Sequence, residues 1–295
     1  MSVARLRDLL ADARHGGYCL GYFEAWDQCS LEACLAAAEA ERSPAILGFG
    51  GAVANQVWLD HRGVELLATL ARKLADMAAV PVAVLFNEAR TVGQIERALA
   101  CGCNAVMLDS SHLSFAANVE ATRRVVALAA ASDADVEAEL GQLTDARDPA
   151  GTPGRPTDPE EARRFVEATG VSCLAVAVGG VHVLVDREAT LDLERLSAIR
   201  AAVPVPLVLH GGTSIPDRLV AGAAVRGVAK INFGTRLKQL FLNGLRESVP
   251  NAADGAGVQR SVGSRSAEDV TSRALTFVEA EVRHLISVYG SGGRA

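Results

Sequence analysis

The sequence predicts an α/β fold: a single (β/α)8 barrel of the TIM type with extra C-terminal helices. Three observations predict it. Eight short runs rich in apolar and β-branched residues recur along the chain, helix-like segments separate them, and chemically able polar residues gather at the ends of the runs. A chain of 295 residues suits one such domain, spanning 1–295, with a helical tail at about 235–295.

In order the runs are Tyr18–Phe23, Pro44–Gly50, Val80–Phe86, Ala105–Asp109, Asp135–Gly141, Cys173–Gly179, Pro206–His210 and Val228–Phe233. Most are continuously apolar, the pattern of parallel strands buried on both faces. Between them, Leu31–Arg42 and Gly63–Met77 carry apolar residues three and four apart. Ser114 is placed to cap a helix running through Asn118, Val119, Thr122 and Val125. Thr157-Asp158-Pro159-Glu160 combines a cap, an early proline and first-turn acids. Thr235–Arg246 and Ala267–Tyr289 read as tail helices, longer than one barrel unit requires, so that part of the tail is available to pack on a neighbouring subunit. A doubly wound open sheet is the alternative, but no glycine-rich dinucleotide fingerprint follows the first run. The connection Gln142–Thr157, rich in Pro, Gly and Asp, is a candidate lid or else a plain surface excursion.

Composition narrows the function classes. Apolar residues make up 49% and charged residues 22%, enough for a large core, and the net charge of -6 leaves no basic footprint for nucleic acid. There is no apolar run of about 18 residues to span a membrane, and the N-terminus lacks the apolar core of a signal peptide, so a cytoplasmic protein is expected. The six cysteines lack zinc-ribbon spacing and read as buried thiols of a reducing compartment.

Catalytic groups of such barrels project from the C-terminal ends of the strands. Here those ends supply Glu24, Asn87 and Glu88, Asp109, Glu137 and Glu139, His182, His210 and Asn232. His182 and His210, with Glu88 across the rim, have the chemistry of a two-histidine, one-carboxylate site for a divalent transition metal with positions left open for substrate. Hydrogen-bonded core histidines are the alternative. Gly211-Gly212-Thr213-Ser214 follows the seventh run and Gly234-Thr235 the eighth, where such barrels cradle phosphate on backbone N–H groups; ordinary tight turns would look the same.

With these residues in view, the chain resembles the class II fructose- and tagatose-bisphosphate aldolases over nearly its whole length. The likeness runs through Asn104–Asp109 with Ser111, Asn118 with Thr122, Val136–Gly141, Thr157–Glu161 and Phe165–Gly170. It continues through Leu174–Val178 with His182, Pro206–Gly212, Ile215-Pro216, Gly227–Asn232 and Tyr289–Ala295. The resemblance implies a zinc ion that polarises a ketose carbonyl and stabilises an enediolate, with His182 and His210 as two of its three histidine ligands. The family's HxDH becomes Leu85-Phe86-Asn87-Glu88 here, so the third ligand is Glu88 and the proton-shuttling aspartate is Asn87, an amide. Zinc is the expected ion, and the carboxylate ligand admits manganese, iron or cobalt.

Further departures follow. The family's HGxYK is His182-Val183-Leu184-Val185-Asp186, its GGSG ends in Thr213-Ser214, and Arg236 stands where an acid is usual. Its glycine pair and acids after the fifth strand are replaced by Gln142–Asp148, and FNVNN by Phe23-Glu24-Ala25-Trp26-Asp27. The reading is a metal-dependent aldolase-like lyase acting on a ketose phosphate or related hydroxycarbonyl compound. Glu24 is its replacement acid/base, Asn232 orients the oxyanion, and Asp109 and Glu139 support the ligands. A sugar-phosphate isomerase or epimerase and a non-catalytic sugar-phosphate-binding homologue are the alternatives, and a homo-oligomer, dimer or tetramer, is the expected assembly.

Overall fold

A computed structural model describes residues 3–146, 154–182, 188–252 and 254–295, without the side chain of His182. Eight strands close into a barrel: β1 Leu20–Phe23, β2 Ala45–Gly50, β3 Val82–Ala89, β4 Ala105–Leu108, β5 Asp135–Leu140, β6 Cys173–Val176, β7 Leu207–Leu209 and β8 Val228–Phe233. Each pairs in parallel with its chain neighbours, and β1 closes on β8. All eight expected runs are therefore strands. Most are trimmed by a residue or two, whereas β3 runs on past Phe86 to Ala89.

That extension has a local cause. Phe86 pairs with Val106 and Ala89 with Leu108, so β3 carries one more residue than β4 across the same stretch, a bulge at Asn87 and Glu88. Glu88 has a φ of 52°, left-handed backbone that a residue with a side chain adopts only at a cost. Adjacent residues of a regular strand face opposite sides. The bulge lets both Asn87 and Glu88 face the barrel mouth.

Among the described residues, ten longer helices surround or close the barrel: α1 Leu6–Gly16, α2 Gln28–Ala40, α3 Val64–Met77, α4 Val92–Ala100, α5 Phe115–Ala130, α6 Pro159–Thr169, α7 Leu193–Ala202, α8 Asp217–Ala224, α9 Thr235–Ser248 and α10 Val270–Tyr289. Their starts follow the side-chain chemistry. Ser114 caps α5, and Asp158 accepts from the amides of Glu160 and Glu161 with Pro159 in the first turn of α6. Asp27 and Ser30 form a capping box that starts α2 three residues before Leu31. In α1, Leu6, Leu9, Leu10 and Ala13 join the cluster that fills the barrel interior with Leu20, Ile46, Leu85, Cys173 and Val208, so this helix seals the lower end.

The tail packs on its own chain. α10 lies against α9 and α2, and its Val278, Val282 and Ile286 are buried there. Gly244 of α9 makes the close approach possible, since a Cβ there would stand 2.7 Å from the Ala274 Cα. Cys19, Cys34, Cys103 and Cys173 are buried as expected, while Cys29 and Cys101 are half-buried. No helix among the described residues is long and apolar enough to cross a membrane. Of the expected lid, residues 147–153 lie outside the described residues, as do the altered positions 183–186 after His182. The described flanks of this connection are tied down: Thr144–Asp145 pairs with Val181–His182, and the Gln142 amide donates to the Arg155 carbonyl at 2.8 Å.

Candidate active site

A cavity of about 390 Å³ opens at the C-terminal end of the barrel. The structure brings nearly all the expected residues to it. Glu24, Asn87, Glu88, Asp109, Glu139, His210 and Asn232 line it from the strand ends, and Gly211, Gly212, Thr213, Gly234 and Thr235 line it from the loops. Glu137 lies fully buried behind His210 rather than in the lining, and Ser214 is the other exception. It is buried beside the loop, where its hydroxyl donates to the Gly211 carbonyl and accepts from the Val181 amide, so it holds the turn rather than facing the cavity. The His182 backbone pairs with Asp145, and its side chain lies outside the described residues.

His210 organises the floor. Its Nε2 stands 2.9 Å from Glu137 Oε1, and its Nδ1 stands 3.4 Å from Glu88 Oε1 and 3.8 Å from Glu139 Oε2. Burial alone would lower the imidazole's pKa, but hydrogen bonds to Glu137 and Glu88 and the charge of Glu139 raise it to about 10. Glu139 responds to burial first, and with Glu88, Asp109 and Glu137 nearby its pKa is raised to about 7 despite His210. This nest of carboxylates calls for a positive charge, which a proton on His210 or a metal ion can supply.

Two of the expected donors have a spacing that fits an ion. Two donors each about 2.1 Å from one tetrahedral ion stand about 3.4 Å apart. His210 Nδ1 and Glu88 Oε1 have that separation. Glu137 holds the opposite ring nitrogen, as a carboxylate does behind a metal-binding histidine. Among the described residues no three His, Cys, Asp or Glu side chains form a complete metal cluster, and the third expected ligand is the undescribed His182 side chain.

Four site residues were not legible from the sequence pattern. Lys230, fully buried on β8, donates to Glu137 Oε2 at 2.7 Å and to Asn232 Oδ1 at 2.5 Å. Lys238, one turn into α9, forms an ion pair with Glu24. Arg90 pairs with Asp109 and donates to the Ala52 carbonyl at 3.2 Å. Tyr22 contributes a buried phenol to the cavity lining. A polar side chain near the mouth end of an apolar run was the available signal for Lys230 and Tyr22, whereas Lys238 depends on how α9 packs.

Glu24 owes its position to two glycines. A Cβ on Gly50 would come within 2.6 Å of its Oε2, and one on Gly234 within 3.2 Å of its Cβ. Burial raises the pKa of Glu24, while the Lys238 ammonium opposes the shift. In the loop after β7, Gly211 has a φ of 68°, and Gly212 packs so close that a Cβ would meet the Asn232 carbonyl at 2.6 Å. α9 starts beside them at Thr235, where the N-cap Gly234 offers no side chain and the Arg236 amide donates to Thr213 Oγ1 at 3.4 Å.

The comparisons with known proteins agree over the full length. The family model for class-II fructose-bisphosphate aldolase matches residues 4–294. The YdjI aldolase of Escherichia coli K12 superposes with a TM-score of 0.82 at 29% identity, covering 99% of both chains. A Coccidioides immitis structure assigned as a fructose-1,6-biphosphate aldolase gives a TM-score of 0.84 at 28% identity, covering 98% of this chain and 97% of that one. The fructose-bisphosphate aldolase of Campylobacter jejuni, at 19% identity and a TM-score of 0.78 over 99% and 97% of the two chains, shares the fold. The mouth-side residues sit on a barrel matched from end to end, and the chain belongs to the class II fructose-bisphosphate aldolase family.

Proposed function

We propose that this chain is a metal-dependent lyase that cleaves or forms an aldol bond in a ketose phosphate or related hydroxycarbonyl compound. The observation that carries the reading is the facing of His210 Nδ1 and Glu88 Oε1 at 3.4 Å, with the far ring nitrogen fixed by Glu137. Glu88 and His210, with His182, are the residues to hold a divalent ion. Zinc is the first candidate, and manganese, iron and cobalt also suit a carboxylate ligand. The ion would supply Lewis-acid polarisation of the substrate carbonyl.

The chain's own groups supply the rest. Asn87 cannot exchange a proton near neutral pH, so the proton transfer falls to Glu24. Its carboxyl is half-buried, paired with Lys238 and open to the cavity, an environment that lets it hold a proton in one half of the reaction and release it in the other. Asn232 has its amide oxygen engaged by Lys230, which aims its Nδ2 at developing negative charge on the substrate. Gly211, Gly212 and Thr213 with the start of α9 offer a cradle for one phosphate.

Metal analysis of the purified, chelator-treated protein after incubation with zinc, manganese or cobalt tests this reading, alongside a Glu88→Ala variant and a screen of ketose phosphates for fragment release. One ion per chain in the wild type, lost in the variant, with release of a carbonyl fragment, is the expected result. Absence of bound ion in the wild type would end the metal mechanism, and isomer exchange without fragments would move the assignment to an isomerase.

A further inference from the structure

Three buried polar atoms on the cavity floor have no hydrogen-bond partner among the described residues: the Tyr22 hydroxyl, Asn87 Oδ1 and Asn232 Nδ2. Folding rarely leaves such atoms unmatched, because each loses its water without compensation. Tyr22 and Asn232 are direct neighbours, paired across β1 and β8. The tyrosine ring is packed firmly. Lys230 Nζ lies 4.9 Å from its centroid on one side, and a Cβ on Gly48 would come within 3.2 Å of Cε2 on another. Packing therefore accounts for the ring but not for the hydroxyl, since phenylalanine would fill the same space without a stranded O–H.

We propose that Tyr22 contacts the substrate, its hydroxyl donating a hydrogen bond to a carbonyl or hydroxyl oxygen held beside Asn232. The proposal rests on the aldolase reading above and adds a substrate-binding residue to it. Burial, with Glu24, Glu88 and Glu137 nearby, raises the phenol's pKa, so the group remains an O–H donor and does not serve as a base. Tyr22 and Asn232 then present two donors, and Asn87 Oδ1 presents one acceptor. That set matches a carbon chain bearing a carbonyl oxygen next to a hydroxyl, the α-hydroxycarbonyl end of a ketose. A compound lacking the hydroxyl would leave the Asn87 acceptor unmatched.

The test is Tyr22→Phe in the metal-loaded full chain. Three readouts are followed: thermal unfolding, hydrogen–deuterium exchange of the α-carbon protons of dihydroxyacetone phosphate by NMR, and fragment release from ketose phosphates. The expected result is an unchanged or higher Tm, with exchange and cleavage reduced about 100-fold, the loss typical of removing one oxyanion donor. A clearly lower Tm would mean that the hydroxyl is already bonded within the fold, and would overturn the proposal. Unchanged exchange and cleavage in the variant would also overturn it, leaving the aldolase reading in place. A wild type that neither exchanges nor cleaves would remove both.

Discussion

Lys230 Nζ lies 2.7 Å from Glu137 Oε2 inside the barrel, with both side chains fully buried. Burial would raise the carboxyl's pKa, but Lys230 and His210 hold it down at about 2. The same glutamate fixes the His210 ring, so one ion pair underlies both the Asn232 amide and the imidazole. Lys230→Met should destabilise the protein by about 3–5 kcal/mol, because a buried carboxylate is left without its cation. Combining it with Glu137→Gln should cost less than the sum of the two single changes. Urea unfolding of the four proteins checks this, and strict additivity would show the two residues to be uncoupled.

Gly50 and Gly48 sit two residues apart on β2 and clear space for different things. Gly50→Ala meets the end of the flexible Glu24 side chain at 2.6 Å, whereas Gly48→Ala meets the Leu85 carbonyl oxygen at 1.9 Å. The first change should move the Glu24 carboxyl, lower kcat/KM by about 100-fold and leave stability within about 1 kcal/mol. The second should cost about 3 kcal/mol in stability, because backbone must move. Matched activity and melting measurements separate them, and equal melting temperatures for the two variants would contradict the assignment.

Lys238→Met removes the cation that opposes the effect of burial on Glu24, so the carboxyl's pKa should rise further. Ionised Glu24 is then lost at a higher pH, and the acidic limb of the kcat/KM profile should move upward. Lys238→Arg should restore the limb. A profile identical in the Met variant would remove Glu24 from the proton transfer.

Asp269 caps α10, accepting from the Thr271 amide at 2.9 Å and the Ser272 amide at 3.1 Å. Burial would raise its pKa, yet backbone N–H donors including those of Ser272, Arg265, Thr271 and Ser264 bring it below 3.8. A carboxyl lowered on folding contributes its stability above the unfolded pKa and loses it as pH falls through the folded one. Asp269→Ala should cost about 1 kcal/mol at neutral pH. The difference in Tm should shrink as the pH is taken below 3.8. A constant difference down to the acid limit would show that the cap acts without its charge.

The barrel was legible because its strands are near-continuous apolar runs and its helices carry their own start signals, as at Ser114 and Asp158. The mouth-side residues were legible for a related reason: a glutamate or histidine that closes an apolar run is costly to bury in a core and belongs at a rim. What the sequence hides is pairing across the barrel. Lys230 lies 93 positions from Glu137, and Lys238 lies 214 from Glu24, so nothing local announces either partner. The bulge was hidden as well, since Leu85-Phe86-Asn87-Glu88 has the composition of an ordinary strand end. The tail was read at the right places, and α10 covers this chain's own α2 and α9.

The left-handed turn at Glu88 has a consequence for what the cavity can present. On a regular strand only every second position reaches the mouth, and changing the chemistry there means working around a fixed alternation. With the bulge, positions 87 and 88 both face the cavity while the Gly51 amide still bonds to Asn87 and the Asp109 amide to Ala89. Two adjacent positions can therefore each put a different side chain into the cavity without re-registering a strand.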